Sequence, residues 1–543
     1  MFLKKNRAIL IILLFFLVGQ LLFSAAPFVN LEYIYAVAGE RIADSPLTFN
    51  FSELNFYVLT VGNPIMTSLI VSFWILLFGF SEFISRLPII IIGAAFILLF
   101  HIAVERLFSG RIAVFASVIL AFNPLFWNYS GMVYSEIPFI FFVFIALWFV
   151  HQGLKGKRFL QFFVSAIFLC LSFLTKYIGA LFFVFIFFFI SFFMLKRLKE
   201  RSKVSRSSMS LEQFISLTKK VARVYWPFVV LFVLLCGGYV LWMYHDLGFF
   251  FSSEHKSFVF WGIQDFFGNY LIAFAGYLMW LAVFCGLIGF FSFLGMIRLF
   301  KNKSYFYVLM GGLFLVDLAF FSYVYKPLGE MDFGFLESVV PPWFMLFFRF
   351  CLLFLGELIF LDVVFVAFSG RNKILIHDLL RWFFIFTLLA ISIARPTQRY
   401  LLLVLPVAVL YCGLLVRIKD RFAVLRLSAF LLTLMVFISM SLFISLYRYN
   451  LGLASADVVE YINVHNISSG IEFEPKSHTY YLLQDQTLYP FENPYLALGN
   501  YSRPYFTGPT SMIDLSRYDV IYSSPVDICG ITIKELSVAR KRQ

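Results

Sequence analysis

Residues 88–130 read PIIIIGAAFILLFHIAVERLFSGRIAVFASVILAFNPLFWNYS. Two apolar runs, 88–105 and 113–130, each approach the ~20 residues that cross a bilayer as a helix, and between them lies a short turn carrying Arg106 and Arg111. A pair of apolar runs hinged on a basic turn is a membrane hairpin, and the same pattern recurs along the chain. Further runs lie near 8–28, 137–153, 159–175, 178–195, 226–244, 272–297, 305–324, 343–367, 382–394, 400–416 and 427–446. The expected fold is an all-α polytopic membrane protein of about 13 transmembrane helices, followed by a small C-terminal extracytoplasmic domain.

Composition agrees. Of 543 residues, 62% are hydrophobic, 76 are Phe and 13% are charged, against about 25% charged in an average soluble domain. The mean hydropathy is +0.89. This excludes an ordinary soluble enzyme. The net charge of +13 does not point to nucleic acid, because the basic residues sit between apolar runs and form no basic stripe with interleaved aromatics.

Placing alternate connections inside puts 27 of the 43 Lys and Arg in cytoplasmic segments, among them Lys196, Arg197, Lys199, Arg201, Lys203 and Arg206. The outer loops hold seven. That bias sets the N-terminus in the cytoplasm and the tail outside, in a multi-pass protein of the cell membrane. The start, with Lys4, Lys5 and Arg7 before a long apolar run, reads as an uncleaved first helix. The same parity leaves 63–80 (NPIMTSLIVSFWILLFGF) without a full crossing, so the first outer loop, 29–87, is expected to be long and partly embedded in the membrane.

Residues 1–446 form the transmembrane domain in this reading and 447–543 an aqueous domain. Charge returns after 447, and Pro490, Pro494, Pro504 and Pro509 punctuate the tail. ADVVEYINVH reads as a short helix and YDVIYSS as a strand, giving an α/β or α+β cap. Five of the six cysteines lie in or beside apolar runs, and Cys529 stands alone in the tail, so no disulfide is expected within that domain. No CxxC, HExxH or P-loop occurs, and no internal repeat of the transporter kind.

Polar residues near the outer face need reasons. Glu32 is the first carboxylate beyond the first run; at a membrane boundary it is either a solvated loop acid or a general base with a pKa raised by desolvation. Glu136 opens a helix, where the dipole favours an anion, and parity returns it to the same face. Lys176 separates two runs with little loop between them, and Arg395 and Arg399 in ARPTQRY sit at the outer end of another hairpin. Such cations either anchor hairpins at the interface or hold a phosphate. Within the spans, Asp317, Arg349, Glu357 and Asp362 need partners or a cavity. The outer groups His245, Asp246, Glu254, His255 and Asp265 are the candidates for a divalent ion; their spacing matches no dedicated metal site, and no metal is assigned.

Taken in order, a Glu-bearing first outer loop, the string Gly79, Ser81, Glu82, Arg86, Leu87, Pro88, then Leu174, Thr175, Lys176, and Arg399, Tyr400 followed by Pro406 resemble the GT-C membrane glycosyltransferases, in their protein O-mannosyltransferase and aminoarabinose transferase branches. The resemblance spans about residues 8–416. It implies transfer of a sugar from a polyprenyl phosphate to a lipid, glycan or protein acceptor on the outer face. Glu32 then falls on the acid used as base or acceptor-positioning group. Glu136 falls on the second-loop acid, and Lys176 and Arg399 on elements near the donor phosphate, with Arg395, Tyr33 and Tyr400 beside them. Members often carry Asp-Glu or a lone Asp at the first-loop position, whereas this chain has Asn30, Leu31, Glu32.

The residues fit that chemistry independently. A phosphate leaving group needs charge stabilisation more than protonation, and an acceptor hydroxyl or amine needs a base. A carboxylate across the anomeric carbon from the phosphate favours inversion. The lipid-linked sugar is a substrate; no cofactor is assigned, and a divalent metal is left open. The alternative classes are a transporter or lipid flippase, which moves substrate without forming a glycosidic bond, and a non-catalytic scaffold.

Overall fold

The computed structural model describes residues 7–29, 32–44, 64–156, 159–205, 225–247, 266–292, 341–367, 374–392, 398–417, 422–465, 471–472, 505–509, 518–528 and 531–541, with a few isolated positions between them. The helices are α1 (Arg7–Leu21), α2 (Glu32–Asp44), α3 (Met66–Phe78), α4 (Glu82–Leu107), α5 (Gly110–Phe122), α6 (Pro124–Ser130), α7 (Glu136–Gly156), α8 (Phe159–Thr175) and α9 (Gly179–Ser205). They continue as α10 (Tyr225–Trp242), α11 (Phe266–Cys285), α12 (Pro342–Asp362), α13 (Ile374–Ile391), α14 (Leu405–Arg417) and α15 (Ala423–Val464). A 3-10 turn, Gln398–Leu403, leads into α14.

Among the described residues six helices are long and apolar enough to cross a membrane, or seven if α5 and α6 make one broken span. The expected run near 305–324 lies almost wholly outside the described residues. The run 113–130 is not one helix: it bends by 61° at Asn123. The cause is local, since the Asn123 side chain accepts from Leu125 N at 3.1 Å and Pro124 takes the first helical position, so the chain starts a new helix there.

Many helices are apolar on the outside. α3 buries Thr67, Ser68, Val71, Ser72 and Ile75 and exposes Leu69, Phe73, Leu76, Leu77 and Phe78. In water that arrangement would be unstable. In lipid, small and weakly polar residues pack against neighbouring helices while large apolar side chains face hydrocarbon. With 13 residues, α3 is shorter than the ~20 needed to cross. It packs on α2 through Gly39, where a Cβ would come within 3.2 Å of Ser68 O and of Ser72 N.

The core joins α1 and α4–α7 with α11–α14. α15 runs unbroken for 42 residues, roughly 63 Å at 1.5 Å per residue, about twice the hydrocarbon thickness. Its far end carries a four-stranded sheet of β1 (Ile471–Glu472), β2 (Tyr505–Pro509), β3 (Tyr518–Ile528) and β4 (Ile531–Lys541), ordered β1-β2-β4-β3. β1 and β2 are parallel and the other pairs antiparallel. The sheet docks on α15 through Ser524 Oγ to Asp457 Oδ2 at 2.9 Å, Asn450 Nδ2 to Asp527 O at 2.7 Å, and the stacked rings of Tyr461 and Tyr522 at 4.3 Å.

Candidate active site

Two buried ionic groups lie at one end of the helices, joined by the connector 131–135 between α6 and α7. That connector must pass close to α1 and α15. A Cβ on Gly131 would come within 2.3 Å of Gln20 Oε1 and 2.7 Å of Arg448 Nη2, so any larger residue would have to displace these two side chains. Arg448, on α15, donates to Asn128 O at 2.8 Å in the last turn of α6, just before the connector.

The first group is built on Glu32 and Arg86. Arg86 Nε donates to Glu32 Oε1 at 2.9 Å and Nη2 to Oε2 at 2.8 Å. Val29 N donates to Oε2 at 3.0 Å and Val133 N to Oε1 at 2.9 Å. A carboxylate has about four acceptor sites, and here all are taken. The guanidinium is equally occupied: Nη1 donates to Ser24 O at 2.9 Å and to Ala26 O, and Nη2 also donates to Pro27 O at 3.1 Å. Glu32 is wholly buried. Burial pushes its carboxyl up, but Arg86 above all, with Val29 N–H and Arg448, holds it below the usual carboxylate range. The raised pKa of a membrane-boundary base is therefore not what this environment produces. Its geometry is that of an anchor tying the end of α1, the start of α2 and the connector together.

The second group gathers three of the residues singled out above. Glu136, in the first turn of α7, takes Lys176 Nζ at 2.5 Å on Oε1, and Arg399 Nε lies 3.8 Å from the same oxygen. Lys176 arrives there because α8 stops at Thr175 and the chain turns at once into α9. Gly179 permits that turn, since a Cβ would meet Phe173 N at 2.7 Å. Arg399 is carried by the 3-10 turn, and the Tyr400 ring lies 4.9 Å from Lys176 Nζ. Glu136 and Lys176 are buried, whereas the Arg399 side chain is 21% exposed. Two cations facing one carboxylate leave one unit of positive charge, which suits a phosphate.

The other oxygen of Glu136 is differently placed. Ser135 Oγ donates to Oε2 at 3.5 Å, and Tyr35 OH, on α2, donates to Ser135 Oγ at 3.4 Å. Below this group an apolar cavity of about 80 Å³ starts one helical turn from Glu136 and Arg399, at Ile140 and Leu403, and descends between α4, α7, α13 and α14 to Trp148 and His151.

Of the remaining sequence candidates, Tyr33 lies on α2 with its side chain outside the described residues, and Glu254, His255 and Arg395 fall outside them altogether. Among the described residues no group of three or more His, Cys, Asp or Glu could hold a metal. Asp362 is met within the membrane by the hydroxyl of Tyr411, which also reaches Ser292 Oγ at 2.9 Å. Sequence reasoning missed the roles of Arg86, Tyr35, Ser135 and Arg448. Arg86 alone carried a signal, as a cation at the start of an outer-end helix.

Residues 62–226 match the family model of dolichyl-phosphate-mannose-protein mannosyltransferases. Over that stretch, under a third of its length, the chain is similar to these membrane mannosyltransferases. The matched segment contains α3 to α9, and with them Arg86, Glu136 and Lys176. Among solved structures, ArnT from Cupriavidus metallidurans bound to undecaprenyl phosphate is similar at 13% identity over 98% of this chain and 97% of that one, with a TM-score of 0.40. Its apo state is similar at 14% identity over 99% and 98%, TM-score 0.38. The archaeal oligosaccharyltransferase AglB from Archaeoglobus fulgidus, in complex with an inhibitory peptide and a dolichol-phosphate, is similar at 14% identity over 94% and 70%, TM-score 0.45. No curated protein sequence matches the chain.

Proposed function

We propose that the protein transfers a sugar from a polyprenyl-phosphate donor to a lipid, glycan or protein acceptor on the extracytoplasmic face, with inversion at the anomeric carbon. The N-terminus is cytoplasmic in this reading, and the sheet carried by α15 lies on the same side as the site. The observation that supports it is the meeting of Glu136, Lys176 and Arg399 within 3.8 Å of one oxygen, directly above an apolar cavity.

Lys176 and Arg399 hold the donor phosphate and stabilise the charge that builds on it as the glycosidic C–O bond breaks. Arg395, four residues before Arg399, is assigned to the same phosphate, and Tyr400 backs the Lys176 ammonium. The cavity takes the first isoprene units of the donor. Glu136 is the carboxylate that touches substrate. Glu32 is an anchor, and proton acceptance is not its task. Tyr33, Glu254 and His255 are retained as acceptor-side candidates on sequence position, and no metal is assigned to them.

The test is transfer by the purified protein in lipid, with a panel of radiolabelled polyprenyl-phosphate sugars and with water and membrane extract as acceptors. Wild-type transfer that disappears in Lys176→Ala and Arg399→Ala supports the reading. Donor binding and transfer absent across the panel overturn it in favour of a transporter, which flux across vesicles would then reveal.

A further inference from the structure

We infer that Glu136, through Oε2, is the general base for the acceptor, and that Ser135 and Tyr35 are positioning residues that aim this oxygen. The inference rests on the glycosyltransferase reading and assigns the proton-accepting group within it.

The two oxygens of Glu136 are not equivalent. Oε1 faces both cations, with Lys176 Nζ at 2.5 Å and Arg399 Nε at 3.8 Å. Oε2 has a single side-chain partner among the described residues, Ser135 Oγ, at a loose 3.5 Å. The residue's own backbone N–H also serves this carboxylate, and an oxygen outside the ion pair with one loose side-chain hydrogen bond keeps a lone pair for an incoming hydroxyl. Glu32 has none, because four N–H donors fill its two oxygens. Of the two carboxylates that the sequence offers, only Glu136 can accept a proton without first breaking an ion pair to Arg86.

The step balances without any further reagent. The acceptor oxygen forms a bond to the anomeric carbon as its proton passes to Glu136 Oε2. The bond from that carbon to the phosphate oxygen breaks, and the electron pair stays on the phosphate, facing Lys176 and Arg399. Lys176 lies between phosphate and carboxylate, so one ammonium serves both. Binding of the donor phosphate draws Lys176 and Arg399 toward itself and frees charge on Glu136, which makes the carboxylate a better base only when donor is present.

Positioning comes from α2. Tyr35 OH meets Ser135 Oγ at 3.4 Å, and Ser135 meets Oε2. Three residues after Glu32 on the same helix, Tyr35 is held in place by the anchor, and Tyr134 packs on its ring at 6.0 Å. Val133, three residues before Glu136, is tied to Glu32 directly. The anchor thus reaches the base by a side-chain route and a backbone route.

The experiment uses the full chain in lipid nanodiscs and separates binding from chemistry. Polyprenyl monophosphate is the binding probe, and a radiolabelled polyprenyl-phosphate sugar accepted by the wild type is the transfer substrate. Glu136→Gln is expected to bind polyprenyl phosphate at least as tightly as wild type, since a negative charge beside the two cations is gone, while kcat falls by about 100-fold or more. Tyr35→Phe and Ser135→Ala are each expected to lower kcat about fivefold with donor KM unchanged. Because they act in series, the double variant should be no slower than Ser135→Ala alone. If Glu136→Gln does not fold, Glu136→Asp keeps the charge, retracts the oxygen by one methylene, and is expected to bind normally and transfer slowly. Transfer near the wild-type rate by Glu136→Gln, or by the folded Asp variant in its place, overturns the inference alone. Effects of Tyr35→Phe and Ser135→Ala that multiply overturn the positioning route. A wild type that neither binds nor transfers overturns the parent reading, and this inference with it.

Discussion

Glu32→Gln distinguishes an anchor from a base. The substitution keeps the shape and Oε1, so Val133 N and Arg86 Nε retain an acceptor. At the other position an amide NH₂ now faces Val29 N–H and Arg86 Nη2–H, which sit 3.0 and 2.8 Å away in the native group. Donors meet donors, and the Arg86 guanidinium, itself nearly fully buried, loses its counter-charge. Breaking a buried pair from one side costs about 3–5 kcal/mol, a large share of the ~5–15 kcal/mol that typically holds a fold together. Glu32→Met with Arg86→Met should be less harmful than Glu32→Gln, because no charge is then stranded. It should stay below wild type, because Val29 and Val133 N–H lose their acceptor at about 1–3 kcal/mol each. The assay is thermal unfolding in lipid or mild detergent, followed by tryptophan fluorescence, beside transfer measured per folded molecule. The anchor predicts a clear fall in the unfolding temperature and residual transfer by the molecules that stay folded. A Glu32→Gln protein as stable as wild type but without transfer would refute this reasoning and return Glu32 to the role of base.

Other outcomes follow from the same geometry. Lys176→Ala removes a charged contact and should weaken polyprenyl-phosphate binding by about 10- to 100-fold, measurable by competition in nanodiscs. Val143→Trp, which fills the cavity below the site, should weaken binding of polyprenyl phosphate while leaving a short-chain prenyl phosphate little affected; equal loss for both would remove the cavity from donor binding. Because Glu32 is held below the ordinary carboxylate value of 4.5, its contribution to stability is fully present above that value and is lost as pH falls through the lower folded-state value. Unfolding temperature should therefore drop on acidification below about pH 4.5, with a smaller drop in the Glu32→Met, Arg86→Met protein.

The multi-pass helical nature of the fold was legible because apolar runs and basic turns are local signals. The run at 137–153 became α7 and that at 343–367 became α12 with a short π-helical extension to Ala367. At the start of α13 a polar interaction outweighed hydropathy. α13 starts at Ile374 instead of near 382, because Asp378 and Arg381 pair at 2.8 Å across one turn and can enter the helix together. α15 passes the expected boundary at 446 without a break, since LGLASADVVEYINV contains no proline and many good helix formers. The bend at Asn123 was written in Asn-Pro and was overridden in the reading by the length of the apolar run. For the site, the sequence singles out Glu136, Lys176 and Arg399, each at the end of a run, and these three side chains do meet. The fate of Glu32 was not, because its partner Arg86 is 54 residues away, and no periodicity reports a contact between a loop and a distant helix.

The unbroken course of α15 makes it a transmission shaft. One end is set in the helical core, Arg448 on its flank holds the last turn of α6, and the sheet is bolted to its last turns. A rigid helix converts length into angle at about 100° per residue. A single residue inserted just before Asp457 would swing the sheet by about 100° about the helix axis relative to Arg448. The orientation of the sheet relative to the helical core is thereby fixed by the residue count of one helix, and it changes in discrete steps with insertion or deletion.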